Sequence, residues 1–266
     1  MNQAQIILVI NPGSTSTKLA VFSGEERVAG ETLRHSADKL AAHPTVWSQW
    51  EFRRSEVLDW SLRYARNPQA VVSMGGLLRP VEGGTYRVND AMLSDARNNL
   101  QGEHASNVGC ALAHDLAQRF QCPAYVVDPV SVDEFEPLSR YSGHPAIQRR
   151  SLSHSPSIHA NARRAAEEVG RPYADANFVV GHLGGGISIA AVKGGRIIDV
   201  NDASSDGPFS PERTGGLPLQ PFISLCFSGN YTESEIRTLV MGKGGIVAYL
   251  GTNSLVEAEE RMANGD

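Results

Sequence analysis

The stretch Ile6–Phe22, IILVINPGSTSTKLAVF, reads as a single device: an apolar run, a tight loop of Gly and hydroxyl residues, and a second apolar run. Phe178–Val192, FVVGHLGGGISIAAV, repeats it. A turn follows each, Ser23-Gly24-Glu25-Glu26 or Lys193-Gly194-Gly195-Arg196, and then a third β-prone run, Val28–Leu33 or Ile197–Val200. The pattern predicts a duplicated β-meander with a polar loop at the first turn of each half. Small residues let backbone N–H groups approach an anion closely, and loop dipoles aimed at one point favour negative charge there. A Gly/Ser hairpin turn alone is usually only a turn, but an incidental turn has no reason to recur with its flanking strands. Neither loop has the glycine spacing of a Walker A or dinucleotide fingerprint, so those phosphate sites are excluded. Lys18 follows four hydroxyl residues, Ser14 to Thr17, at the start of the second strand, where a cation lies beside a phosphate.

The chain has 266 residues with 41% apolar content, enough for one large or two ordinary domains. A net charge of -5 argues against a nucleic-acid-binding surface. No apolar segment reaches membrane-spanning length, and MNQAQIILVI lacks the basic start of a signal peptide, so the expected location is cytoplasmic. Cys110, Cys122 and Cys226 are odd in number without metal-like spacing, and read as inert thiols in a reducing compartment. Between the meanders the sequence predicts a helix in the Trp-rich stretch Ala41–Arg66 and a strand at Ala70–Ser73 leading into Gly75-Gly76. Helices follow at Ala91–Leu100 and Asn107–Phe120, and a buried strand at Ala124–Asp128. A Pro/Ser/Gly-rich loop, Pro129–Pro145, and a helix at Ile158–Val169 precede the second meander. The domain boundary is expected near Arg149, giving domains 1–149 and 150–266.

NPGSTSTK (Asn11–Lys18), GEHASN (Gly102–Asn107), HLGGGIS (His182–Ser188), DGPFSPERTGGLP (Asp206–Pro218) and MGKGGIVAYLGTN (Met241–Asn253) occur in that order along the chain. Together they resemble the butyrate kinase branch of the acetate kinase family. The resemblance implies an α/β fold of duplicated actin-like ATPase (ribonuclease H-like) domains, as in sugar kinases and Hsp70-type proteins. It also implies ATP and Mg2+ as cofactors, a short-chain carboxylate as substrate and a homo-oligomer, a dimer.

The chemistry agrees. A carboxylic acid is already ionised at neutral pH, so a kinase acting on one needs no base to make the nucleophile. Its difficulty is to bring an anion up to an anionic phosphoryl group, which calls for positioned cations and backbone donors. Arg213, held in Pro211-Glu212-Arg213-Thr214-Gly215 by residues that break regular structure, is by resemblance the arginine that neutralises the transferring phosphoryl, with Lys18 as its companion. Asn11, Ser14, Ser16, His182, Gly184, Gly185 and Gly186 are the candidate phosphate and nucleotide contacts, and His154 is by resemblance a catalytic histidine of the cleft. His104, Asn107, Gly75 and Gly76 are implied to face the substrate, although helix capping explains Asn107 equally well. Asp128, the acid ending VVD, is implied to orient Mg2+ or the Asn11–Lys18 side; a turn acid before Pro129 is the alternative.

Two departures from the family bear on activity. Where the family carries Gly-Arg before the glycine pair, this chain has Ser73-Met74, so a substrate-facing arginine is replaced by a thioether, and Arg79 has a different spacing. The resemblance also implies a second domain continuing past Asp266 through a helix, a strand and a Gly-rich adenosine loop, so the second domain is expected to be incomplete and to leave apolar surface uncovered. Two readings follow: a butyrate kinase-like phosphotransferase, with acetate or propionate as other acids of the class, or a non-catalytic remnant that binds phosphate weakly.

Overall fold

A computed structural model describes residues 5–266. The chain divides into two compact units, Met1–Val132 and Asp133–Asp266. In the first, β1 (Ile6–Pro12), β2 (Ser16–Ser23) and β3 (Glu26–Arg34) form the meander that the sequence predicts, in antiparallel register with Asn11 opposite Lys18 and Lys18 opposite Thr32. Apolar alternation places Leu8 and Ile10 of β1 and Leu19 and Val21 of β2 on the buried face.

The Trp-rich stretch is not one helix. It breaks into α1 (Ala37–Ala41), a 3-10 turn at Trp47–Gln49 and α2 (Trp50–Tyr64). Pro44 lies in the break, where a proline and the restricted residue before it stop helical propagation. β4 (Ala70–Ser73) runs parallel to β1, as expected from its sequence, and is followed by β5 (Thr85–Arg87), which the sequence did not reveal. Next come α3 (Asp90–Arg97), capped by the Asn89 side chain, α4 (Val108–Phe120) and β6 (Ala124–Val127). The sheet order is β3-β2-β1-β4-β6-β5. α4 lies on β1, β4 and β6, and its Leu112 and Leu116 meet Leu8, Val71, Val126 and Trp60 of α2 in one core. Truncating a fully buried side chain of this size typically costs about 2–5 kcal/mol.

In the second unit, α5 (Ser155–Glu168) buries the stripe Ile158, Ala162 and Ala166 and packs on β7 (Asn177–Leu183). β8 (Ile187–Lys193) and β9 (Arg196–Val200) complete an antiparallel sheet of order β7-β8-β9, the second meander. The segment 133–149, which the sequence places with the first domain, is tied into this sheet. Ile197 N–H donates to Glu134 Oε2 at 2.7 Å, Glu136 N–H to the Ile198 carbonyl at 3.2 Å, and Arg149 Nη2 to the Val200 carbonyl at 3.3 Å.

Four short helices follow: α6 (Leu219–Cys226), α7 (Glu233–Val240), α8 (Ile246–Leu250) and α9 (Leu255–Ala263). None of them buries a residue, and Phe227, Tyr249 and Met262 are 87%, 85% and 70% exposed. Local stability follows buried apolar contact. Amides of α6–α9 are therefore expected to exchange with solvent at least about tenfold faster than those of α4, measured by hydrogen exchange; equal protection would contradict this. Among the described residues no helix is long and apolar enough to cross a membrane.

Candidate functional site

In the second unit the glycine loop after β7 is the point on which the other groups converge. A Cβ on Gly186 would lie 2.3 Å from Arg213 Nη1, 2.8 Å from Arg213 Cζ and 3.3 Å from His154 Cε1. A Cβ on Gly185 would meet Glu212 Oε1 at 3.0 Å, and one on Gly184 would meet His182 Nε2 at 3.3 Å. The run of three glycines thus lets the arginine and both imidazoles close on the backbone. Ser210 Oγ donates to the Gly185 carbonyl at 2.7 Å and fixes the loop to the Arg213 segment.

Arg213 donates from Nη1 to the Ala203 carbonyl at 2.6 Å. Burial lowers its pKa, while Glu212 and Asp202 pull it back up; an arginine remains charged under these conditions. His154 and His182 stack at 3.9 Å between ring centroids with a 10° interplanar angle. His154 Nδ1 is 2.9 Å from Ser188 Oγ, and His182 Nδ1 is 3.0 Å from Ser157 Oγ, so a serine sets the orientation of each ring. Burial pushes the His182 pKa below the ordinary imidazole value. It is therefore neutral at pH 7, as a hydrogen-bonding partner to a phosphoryl oxygen should be. Sequence reasoning named Arg213, both histidines and the glycines, and missed Ser157, Ser188, Ser210 and Glu212. The serine of HLGGGIS, alternating inward on β8, was the available signal for Ser188.

In the first unit Asn11 and Lys18 are cross-strand neighbours on the outer face of the meander, lining a cavity of about 360 Å³ with Thr32 and Glu31. Ser14 and Thr15 stand exposed at the loop tip, and Gly13 N–H closes the loop on the Ser16 carbonyl at 2.8 Å. The buried base of this loop is an ionic cluster. His35 Nδ1 lies 3.2 Å from Glu56 Oε2, and its Nε2 faces Thr17 Oγ1 at 3.1 Å and Arg53 Nη1 at 3.3 Å; Lys39 binds Glu56 from outside. Burial, then Arg53, lowers the His35 pKa; Glu56 opposes this and Lys39 adds to it. A group depressed in the fold contributes stability that is fully present above its unfolded pKa, about 6.5, and lost as pH falls through the folded value. Melting temperature should accordingly fall on acidification below about pH 6.5. His35→Gln should flatten that dependence, and an unchanged slope in thermal melts of the variant would count against it.

Gly75 (φ 80°) and Gly76 (φ 153°) sit against the start of α4, where a Cβ on Gly76 would come within 2.8 Å of Asn107 Cα. Asn107 is wholly buried; its Oδ1 accepts from Leu77 N–H at 2.9 Å, and Nδ2 donates to Asn99 Oδ1 and the Gly102 carbonyl. It makes no side-chain cap to α4, so it latches the glycine turn instead of capping the helix. His104 Nδ1 accepts from Ser106 N–H at 3.2 Å and caps the 3-10 turn that precedes α4. Asp128, at φ 42° just beyond β6, is 1% exposed and accepts from Gly84 N–H at 2.7 Å. That places it as the anchor of the loop before β5. Arg79 is closed on Asp95 through two 2.7 Å bonds, so its fork is already spent. Met74, half-buried at the end of β4, has no such partner to displace.

The fold matches that of solved kinases. The acetate kinase of Porphyromonas gingivalis superposes with a TM-score of 0.75 at 17% identity, and a propionate kinase of Francisella tularensis with 0.70 at 19%, each covering 98% of this chain and 74% of the other. These likenesses show the fold, that of the actin-like ATPases. Residues 139–265 match the acetokinase family. The chain is 49% identical over 265 residues to butyrate kinase 2 of Clostridium acetobutylicum and 48% over 264 to a probable butyrate kinase of Listeria monocytogenes, covering 98% of itself and 74% of each. The chain belongs to the acetokinase family and is a carboxylate kinase of that family.

Proposed function

We propose that the chain transfers the γ-phosphoryl group of ATP reversibly to the carboxylate of butyrate, or of a close short-chain homologue, giving an acyl phosphate. The carrying observation is the second-unit constellation: a half-buried arginine and two stacked, serine-oriented histidines against a three-glycine loop. In this reading a carboxylate oxygen bonds to the γ-phosphorus as the bond to the ADP oxygen breaks. Arg213 neutralises charge at the transferring group, and His154 and His182 donate to its oxygens without adding negative charge. In the first unit Lys18, Asn11, Ser14 and Ser16 bind phosphate. The substrate face is assigned to Gly75, Gly76, His104 and Asn107, with Asn107 latching the glycine turn and His104 capping the 3-10 turn before α4.

Mg2+ is the proposed metal and supplies charge neutralisation at the phosphates when bound. Among the described residues no group of three His, Cys, Asp or Glu is gathered. The fit is to a magnesium held chiefly by phosphate oxygens and waters, with Asp128 shaping the neighbouring loop and at most contributing one carboxylate. We place the protein in the cytoplasm as a homodimer. Burial pushes the Cys110 thiol up to about 12, consistent with an inert cysteine.

A hydroxamate assay of the purified chain with ATP and butyrate, propionate or acetate tests the reading: acyl phosphate formation, highest with butyrate, is expected. Nucleotide or phosphate binding without turnover would support the second reading, a remnant, which Met74 favours because Arg79 does not stand in for the family's arginine. If that arginine meets the substrate carboxylate, Met74→Arg should lower KM for butyrate by about tenfold, the effect of one charge-assisted contact. An unchanged KM in a folded variant would mean that another residue meets the carboxylate.

A further inference from the structure

Arg53, in the first turn of α2, is wholly buried, and all of its partners among the described residues are neutral. Nε and Nη2 donate to Gln49 Oε1 at 2.9 and 2.8 Å, Nη2 to the Ser14 carbonyl at 3.1 Å, and Nη1 to Thr17 Oγ1 at 3.0 Å; Nη1 also faces His35 Nε2. Glu56 acts on it one residue removed, through His35. A guanidinium buried without a carboxylate in contact is costly to hold. Outside its own helical segment it holds the loop between β1 and β2 at Ser14 and the start of β2 at Thr17, with His35 beside it.

Its effect on that loop follows from peptide geometry. In a trans peptide the C=O and N–H point to opposite sides. With the Ser14 carbonyl drawn back to Arg53, the N–H of the same peptide unit, that of Thr15, is turned away from α2, at a position where Ser14 and Thr15 are exposed. The next peptide is fixed likewise, because His35 N–H donates to the Thr15 carbonyl at 2.9 Å, which sets the direction of the Ser16 N–H. A buried positive charge behind such a loop is poorly screened and favours an anion in front of it.

We propose that Arg53 is a positioning residue, which orients the Ser14 peptide unit so that, beside the Thr15 unit held by the His35 N–H, the loop offers the Thr15 N–H to a phosphoryl oxygen. The proposal rests on reading Asn11–Lys18 as a phosphate-binding loop. It assigns Arg53 no contact with substrate.

The test is a titration of the chain with inorganic tripolyphosphate, followed on the assigned amide resonances of Gly13, Thr15 and Ser16, with melting temperature measured alongside. In the unsubstituted chain the Thr15 amide should shift on binding. Arg53→Lys keeps the charge but lacks the fork, so half-saturation should move at least tenfold higher and the Thr15 shift should be lost. Gln49→Leu, which removes the acceptor that steers the guanidinium without touching the loop, should raise half-saturation severalfold and decides the matter if Arg53→Lys fails to fold. Lys18→Ala should weaken binding yet keep the Thr15 shift at saturation. If Lys18→Ala weakens binding while both Arg53→Lys and Gln49→Leu bind and shift as the unsubstituted chain does, the positioning role is overturned. If tripolyphosphate moves none of the three amides, the phosphate reading of the loop falls, and the proposal with it.

Discussion

Replacing Arg213 by Ala is expected to lower kcat for acyl phosphate formation by about two orders of magnitude or more, the loss usual when a preorganised charge at the transferring group is removed. The side chain is held in place by the Ala203 carbonyl and packed against Gly186, so little reorganisation is needed when charge develops on the phosphoryl group. Its desolvation lowers its pKa, yet the same burial strengthens its attraction for an anion. Arg213→Lys should recover only part of the rate, since an ammonium retains the charge and loses the planar fork. Melting temperature should fall by a few degrees in Arg213→Ala, because the Ala203 carbonyl that loses its donor belongs to a buried residue. A kcat near that of the unsubstituted chain in Arg213→Ala would remove the residue from the mechanism.

Which parts of the molecule the sequence reveals depends on the range of the interactions that make them. Both meanders were legible because strand alternation and turn residues are local, and the strand Ala70–Ser73 was found with its observed bounds. β5 was not, since three residues carry no periodicity and its pairing with β6 is made at long range. The Trp-rich segment was read as one helix although Pro44 signals the break. Arg53 was invisible for a related reason. Beside Arg54 on an amphipathic helix it looks solvated, and only contacts to Ser14 and Thr17, 39 and 36 positions away, bury it. In the second unit Arg213 and the glycine loop were legible as a motif, whereas the serines that orient His154 and His182 come from α5 and β8 and carry no motif of their own. Asp128 was expected to end its strand but lies one residue past β6, and its bond to Gly84 depends on the position of a loop that sequence does not fix.

Gly186→Ala should reproduce the Arg213→Ala defect without unfolding the protein, and the two should not add. The added methyl would sit 2.3 Å from Arg213 Nη1, well inside contact distance, so the guanidinium must move. What moves is the far end of a flexible side chain, not backbone, and Gly186 is not among the glycines with positive φ, so alanine is tolerated by the main chain. The fold is therefore expected to survive with a change in melting temperature of only a few degrees, while kcat falls by about two orders of magnitude because the charge is displaced from the phosphoryl group. Residues that act as a unit are non-additive in a double-mutant cycle. Once Arg213 is gone, the methyl at position 186 has nothing left to displace apart from its closer approach to His154 at 3.3 Å. The double variant Gly186→Ala/Arg213→Ala should thus be no more than about threefold slower than Arg213→Ala alone. Fully additive losses would show instead that position 186 acts directly, through the close approach of its own backbone to phosphate, and would separate the glycine loop from the arginine as independent contributors.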